Sequence, residues 1–163
     1  HYDLAAARNP VRSHEVVGAG EPVPEGSAQE VVASGEPVPE GWAQEIEGGD
    51  VVDAAPALAR LTLNVAMAHL DAGAAAHGRR LVYGGHTIGL AAAQATRALP
   101  SLVTILGWHA ADHTAPVFEG DTLRSRLELE RREPLPGGGH LLHLRSHVTS
   151  DAGPVLDWRF VAV

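Results

Sequence analysis

Beyond Asp50 the apolar positions fall first at helical spacing and then at strand spacing. Leu58, Leu61 and Val65 recur at steps of three and four, the pattern of one helix face. Pro56 suits a first helical turn, and Asp53 offers a side-chain cap just before it. Gly73 and its small neighbours mark a break, and Leu81-Val82-Tyr83 leads into Gly84-Gly85. A second helix is predicted from about His86 to Leu99, stopping before Pro100. It is dense in small residues (Gly89, Ala91, Ala92, Ala93, Ala95, Ala98) and meets a charge, Arg97, only in its last turn, where a cation suits the helix dipole. A helix apolar nearly all round is a buried one, and small side chains let a sheet wrap closely against it.

Strands follow. Leu102–Gly107 opens an extended stretch that can run on to His113. Leu123, Ser125, Leu127 and Leu129 alternate with Arg124, Arg126, Glu128 and Glu130, which predicts a half-buried antiparallel strand. Pro134–Gly139 reads as a hairpin loop. His140–Thr149 returns with Leu142, Leu144, Ser146 and Val148 inward, Asp151–Gly153 turns, and Val155–Val163 is the last strand. The result is an α+β domain, an antiparallel sheet around a central Ala/Gly-rich helix. Such a sheet leaves an edge and an apolar flank, so pairing with a second copy or a partner domain is expected.

Residues 1–49 read differently. A tandem 15-residue repeat, Val16–Glu30 and Val31–Glu45, carries Gly-Glu-Pro-Val-Pro-Glu-Gly in each copy. Two prolines per copy forbid a regular helix or a central strand, and two copies are too few for a solenoid. The expectation is an extended lead-in over 1–49 and one domain over 50–163. Hydrophobic residues make up 45% and charged residues 20% of the 163, enough apolar material for a real core. Aromatics are only 4%, which predicts a core resting on Leu, Val and Ala.

The net charge of -8 disfavours nucleic acid and an anionic membrane face as partners. A few local Arg residues still suffice for the phosphates of a CoA ester. With no cysteine, disulfides, Cys-ligated zinc and a Cys nucleophile are excluded. No signal-peptide pattern opens the chain, and no apolar run approaches the roughly 18–20 residues of a membrane span; a cytoplasmic location is expected. The pairs His109/His113 and His143/His147 have i, i+4 spacing, which on a strand sets them about 13 Å apart. No metal site is therefore expected. Gly84-Gly85 with Gly89 makes no dinucleotide fingerprint, and there is no Gly-x-Ser-x-Gly elbow.

Three segments carry a family resemblance: Asn64-Val-Ala-Met-Ala-His69, Leu81-Val-Tyr-Gly-Gly-His86 and Pro116-Val-Phe-Glu-Gly-Asp121. In order and spacing, over roughly 50–163, they resemble the MaoC-like acyl-CoA hydratases and dehydratases. The strings Leu61–His69 and Tyr83–Leu90 look most like the C-terminal half of double-hot-dog members such as mesaconyl-CoA hydratase-like proteins. The resemblance implies a hot-dog fold and reversible syn hydration of a trans-2-enoyl thioester, carried by CoA or a carrier protein. It implies a place in acyl-CoA or fatty acid metabolism, a homodimer or higher oligomer of hot-dogs, and no cofactor. His69 would activate water and Asn64 would position it. Tyr83, Gly84, Gly85 and His86 would bind substrate, the glycine amides polarising the thioester carbonyl at a helix N-terminus.

The chain departs from the family at Asn64, where the family has a catalytic Asp. An amide can hold a water but cannot accept its proton. On one ideal helix, positions five apart lie about 140° apart, so Asn64 and His69 meet only if the helix breaks, here expected near Ala66–Ala68. Three readings of the site stay open. One is an active hydratase using His69 alone or with a carboxylate such as Asp71 or Asp112. Another is a catalytically degenerate site that still binds acyl-CoA, and a third is half of an assembly. A hot-dog thioesterase is a further alternative, but it needs a carboxylate near the helix start, and no Asp or Glu lies between Asp71 and Asp112. His86 equally suits a pocket wall or a helix start, and His113 a pocket or a solvated edge.

Overall fold

The computed structural model describes residues 38–75 and 78–163. Its core is a curved antiparallel sheet wrapped on one side around a helix. The elements are β1 (Ala43–Glu45), β2 (Asp50–Val51), α1 (Ala55–Leu61), α2 (Met67–Leu70), a 3-10 turn (Ala72–Ala74), α3 (Gly84–Ala98), β3 (Ile105–His113), β4 (Thr122–Pro134), β5 (His140–Ser150) and β6 (Gly153–Ala162). The strand order is β1-β4-β5-β6-β3, with β2 pairing further along β4.

The alternation in β4 and β5 decides which face is inside. Leu123, Ser125, Leu127 and Leu129 are all buried, as are Leu144, Ser146 and Val148 opposite them. Their outward neighbours form ion pairs, across strands for Arg145–Asp157 at 2.5 Å and Arg159–Glu130 at 3.1 Å, and along β4 for Arg126–Glu128 at 3.0 Å. The Arg145 guanidinium holds the Asp157 carboxyl below the usual carboxylate range. Ala91, Ala95 and Ala98 of α3 are buried against the sheet, where a larger side chain would hold the layers apart.

The low aromatic content misjudges the core. Its largest fully buried side chains are Trp158 and Phe160, their rings stacked at 3.9 Å between centroids. Few aromatics are present, but β6 places these two on the inner face.

The expected domain boundary at Asp50 is also too late. Trp42 and Ile46 are buried, and Val38 packs against the same core. β1 pairs with β4 from Ala43 opposite Glu128 to Glu45 opposite Arg126. The Gly41 N–H donates to Leu129 O at 3.0 Å, and the Leu129 N–H to Trp42 O at 2.8 Å. The described part of the second repeat copy is thus an edge strand of the domain, a place where proline just before the strand is tolerated. The first copy and the start of the second lie outside the described residues.

The first helix is shorter than its apolar spacing predicts. α1 ends at Leu61 and buries Ala55 and Ala59, while Leu61 and Leu63 are 80% and 81% exposed. Asp53 is not its cap: Ala54 stands there in the left-handed region at φ 50, with no side-chain cap bond. Leu63 is left-handed as well, at φ 60. The helix therefore breaks over residues 62–66, earlier than the Ala66–Ala68 expected.

Candidate active site

That break builds the site. The Asn64 N–H turns back to Ala59 O at 2.8 Å, and α2 starts afresh at Met67. Two hydrogen bonds tie α2 to the segment entering α3: Leu81 N–H to Ala68 O at 2.9 Å, and Arg80 Nε to Leu70 O at 3.1 Å. The Pro116–Asp121 turn clamps the same segment from the other side. Val82 N–H donates to Val117 O at 2.9 Å, Glu119 N–H donates to Arg80 O at 3.0 Å, and Arg80 pairs with Glu119. The turn closes on itself through Phe118 N–H to Asp121 Oδ2 at 2.9 Å. The motif segments thus meet physically.

They enclose a cavity of about 510 Å³ lined by Asn64, His69, Tyr83, Gly84, Thr87 and His113, among others. The His69 Nδ1 lies 2.6 Å from the Leu81 carbonyl oxygen. A carbonyl only accepts, so in the neutral ring Nδ1 carries the hydrogen and Nε2 is left with its lone pair. The Asn64 amide nitrogen donates to Thr62 O at 3.3 Å and to Thr62 Oγ1 at 3.2 Å. Its Oδ1 remains as an acceptor.

Gly84 opens α3, and its cap residue Tyr83 makes no side-chain cap bond. The His86 N–H is taken by Tyr83 O at 2.9 Å. Among the described residues the Gly84 and Gly85 N–H groups meet no acceptor. A side chain at either position would have to push a neighbouring ring aside. A Cβ on Gly84 would run into the His113 imidazole, with Cε1 only 2.9 Å away. A Cβ on Gly85 would run into the Tyr83 ring, 2.7 Å from its hydroxyl.

Not every candidate is in the cavity. Gly85 and His86 are not among the lining residues; His86 is buried, and its Nδ1 has no partner among the described residues. Burial holds its imidazole below the ordinary 6.5, offset in part by Asp53. The strand-to-helix turn places Gly84 at the opening and sends His86, two residues on, under the sheet. Asp71 accepts from Gly73 N–H at 2.8 Å in its own turn, and Asp112 is exposed beyond the lining. Neither lines the cavity, and none of the described lining residues is an Asp or Glu.

The two spaced histidine pairs diverge. His109 stacks on His143 with 3.1 Å between nitrogens, His147 faces Glu128 at 3.5 Å, and His113 reaches the cavity. Sequence reasoning missed a polar cluster on α3, in which Gln94 is buried and Asp50 and Arg97 are partly exposed. Gln94 donates to Asp50 Oδ2 at 2.7 Å and to Leu123 O at 2.9 Å, while Arg97 pairs with the same Asp50. One Gln in an otherwise small-residue helix was the signal available.

No family model matches the chain. Over 102 residues it is 38% identical to mesaconyl-CoA hydratase of Cereibacter sphaeroides, covering 61% of this chain and 30% of that protein. Over 76 residues it is 36% identical to β-methylmalyl-CoA dehydratase of Chloroflexus aurantiacus, covering 45% and 22%. Among solved structures, Rv0216 of Mycobacterium tuberculosis, a double hot-dog, superposes with a TM-score of 0.68 and 45% identity over 90% of this chain and 49% of that one. A MaoC-domain dehydratase of Chloroflexus aurantiacus superposes with a TM-score of 0.70 and 26% identity, covering 77% and 42%. This chain has a hot-dog fold and is similar to MaoC-like hydratases and dehydratases. It spans less than half the length of each of these four relatives. The partial coverage fits one half of a double hot-dog. Among the described residues, no helix is long and apolar enough to cross a membrane.

Proposed function

We propose that this domain adds water to, or removes it from, a trans-2-enoyl thioester. The observation that carries the reading is the His69–Leu81 hydrogen bond, which leaves Nε2 as a base in the cavity that also holds Asn64 and Gly84, the first residue of α3. Water held by Asn64 Oδ1 gives a proton to His69 Nε2, and its oxygen adds to C3. Charge moves to the thioester oxygen, where the Gly84 and Gly85 N–H groups receive it. Tyr83 walls the substrate channel. The reaction is redox-neutral and needs no cofactor.

The names of the mesaconyl-CoA and β-methylmalyl-CoA relatives favour a CoA ester, and with it a cytoplasmic place in acyl-CoA metabolism. The edge strand β3 carries exposed Leu106 and Trp108, with exposed Val103 just before it. A second hot-dog, from another copy or another part of a longer chain, would cover that edge. A second reading, an acyl-CoA-binding site without turnover, is favoured by Asn64 in place of an acid.

The test is loss of enoyl absorbance with crotonyl-CoA and mesaconyl-CoA. Hydration that disappears in His69→Ala and rises in Asn64→Asp supports the proposal. Release of free CoA would point to a thioesterase instead, and saturable binding without turnover to the degenerate site.

A further inference from the structure

Hydration of an enoyl thioester needs two proton carriers, one to take a proton from water and one to give a proton to C2. His69 is the first, and Asn64 cannot be the second. Among the described residues lining the cavity, the remaining titratable side chains are Tyr83 and His113. Tyr83 is held against Gly85, and His113 against Gly84.

We propose that His113 is the second proton carrier, on the hydratase reading given above. Its Nε2 is the atom nearest to where a Cβ on Gly84 would stand, nearer than Cε1 at 2.9 Å or Cδ2 at 3.1 Å. That edge of the ring faces the residue whose free N–H would bind the thioester oxygen. The C2 carbon is bonded directly to the thioester carbonyl carbon, so a carbonyl seated on Gly84 brings C2 beside Nε2. The backbone is fixed: His113 pairs with Leu156 in β6, and Thr114 N–H donates to Val155 O at 3.0 Å. Among the described residues no partner engages the His113 ring nitrogens, and the residue is exposed to solvent.

Water gives its proton to His69 Nε2, and its oxygen forms a bond to C3. The C2=C3 π pair moves through the carbonyl onto the thioester oxygen. The enolate then collapses, and C2 takes the proton from protonated His113 Nε2. His69 ends protonated and His113 neutral, and exchange with solvent restores both. The reactive form therefore needs neutral His69 and protonated His113, the condition for a bell-shaped pH profile. Imidazole is the side chain that changes charge nearest neutral pH.

The test uses the full chain with crotonyl-CoA, measuring kcat/KM across pH for wild type, His113→Gln and His113→Asn, with circular dichroism to confirm folding. Both variants are expected to lose about 10²-fold or more, mostly in kcat, and to lose the alkaline limb of the bell. A change under threefold with both limbs kept in either folded variant would overturn the role of His113 while leaving hydration by His69 in place. If the wild type hydrates nothing, the hydratase reading fails first and His113's role fails with it.

Discussion

Replacing Trp42 by Ser gives the second repeat copy the residue that the first has at that position, Ser27. Trp42 is 7% exposed and packs in the main core cluster. A buried Trp removes about 200 Å² from water, worth about 5 kcal/mol at 25 cal/mol per Å². A compact denatured chain lowers that to about 3–4.5 kcal/mol. The indole N–H has no partner among the described residues, so the substitution breaks no side-chain hydrogen bond and the loss is one of packing. Its ceiling is set by local peeling, because β1 is three residues long and, among the described residues, pairs only with β4. Trp42→Ser is therefore expected to cost about 3 kcal/mol, within the range for large core truncations. Urea denaturation followed by circular dichroism reads this as a lower midpoint. A loss under about 1 kcal/mol, outside the usual range for such truncations, would refute the claim that the domain begins before Asp50.

Other consequences follow from the site and its surroundings. Gly85→Ala forces the Tyr83 ring aside and should cost about 1–3 kcal/mol, read as a lower melting temperature; an unchanged value would mean that the ring is not held there. Gly84→Ala pushes on the His113 ring, so its effect on turnover should shrink in a His113→Ala background, and strict additivity in the double-mutant cycle would count against the contact. Burial lowers the His86 pKa below 6.5, so below that value the unfolded chain takes up a proton that the folded chain refuses. Stability should be undiminished by this group above pH 6.5 and fall as the pH drops through the folded value. His86→Gln should flatten that acid slope in urea titrations, and equal slopes in the two proteins would remove His86 as its source.

The alternation Leu123-Ser125-Leu127-Leu129 and the Ala-rich run before Pro100 were sufficient to place β4 and α3. Both rest on local periodicity, which the sequence displays directly. The order of the three motif segments identified the neighbourhood of the site for the same reason, since each is a short string with its own turn chemistry. Trp42 was not legible as core. Its segment is rich in Pro and Gly, and the three-residue strand there exists only because β4, some 80 positions later, supplies the pairing.

The fate of individual side chains was likewise a tertiary matter. Leu61 and Val65 kept helical spacing, yet the backbone reversed at Leu63 and left them outside. That reversal is what lets Asn64 share a cavity with His69. The sequence by itself singled out the residues of the proposed chemistry, Asn64, His69 and the paired glycines, because residue type and local spacing are sequence properties. Only the tertiary structure decided that His86 turns into the core while His113, from a different strand, comes to rest on Gly84. Which side chains converge depends on the crossing of elements far apart in the chain, and no local pattern records it.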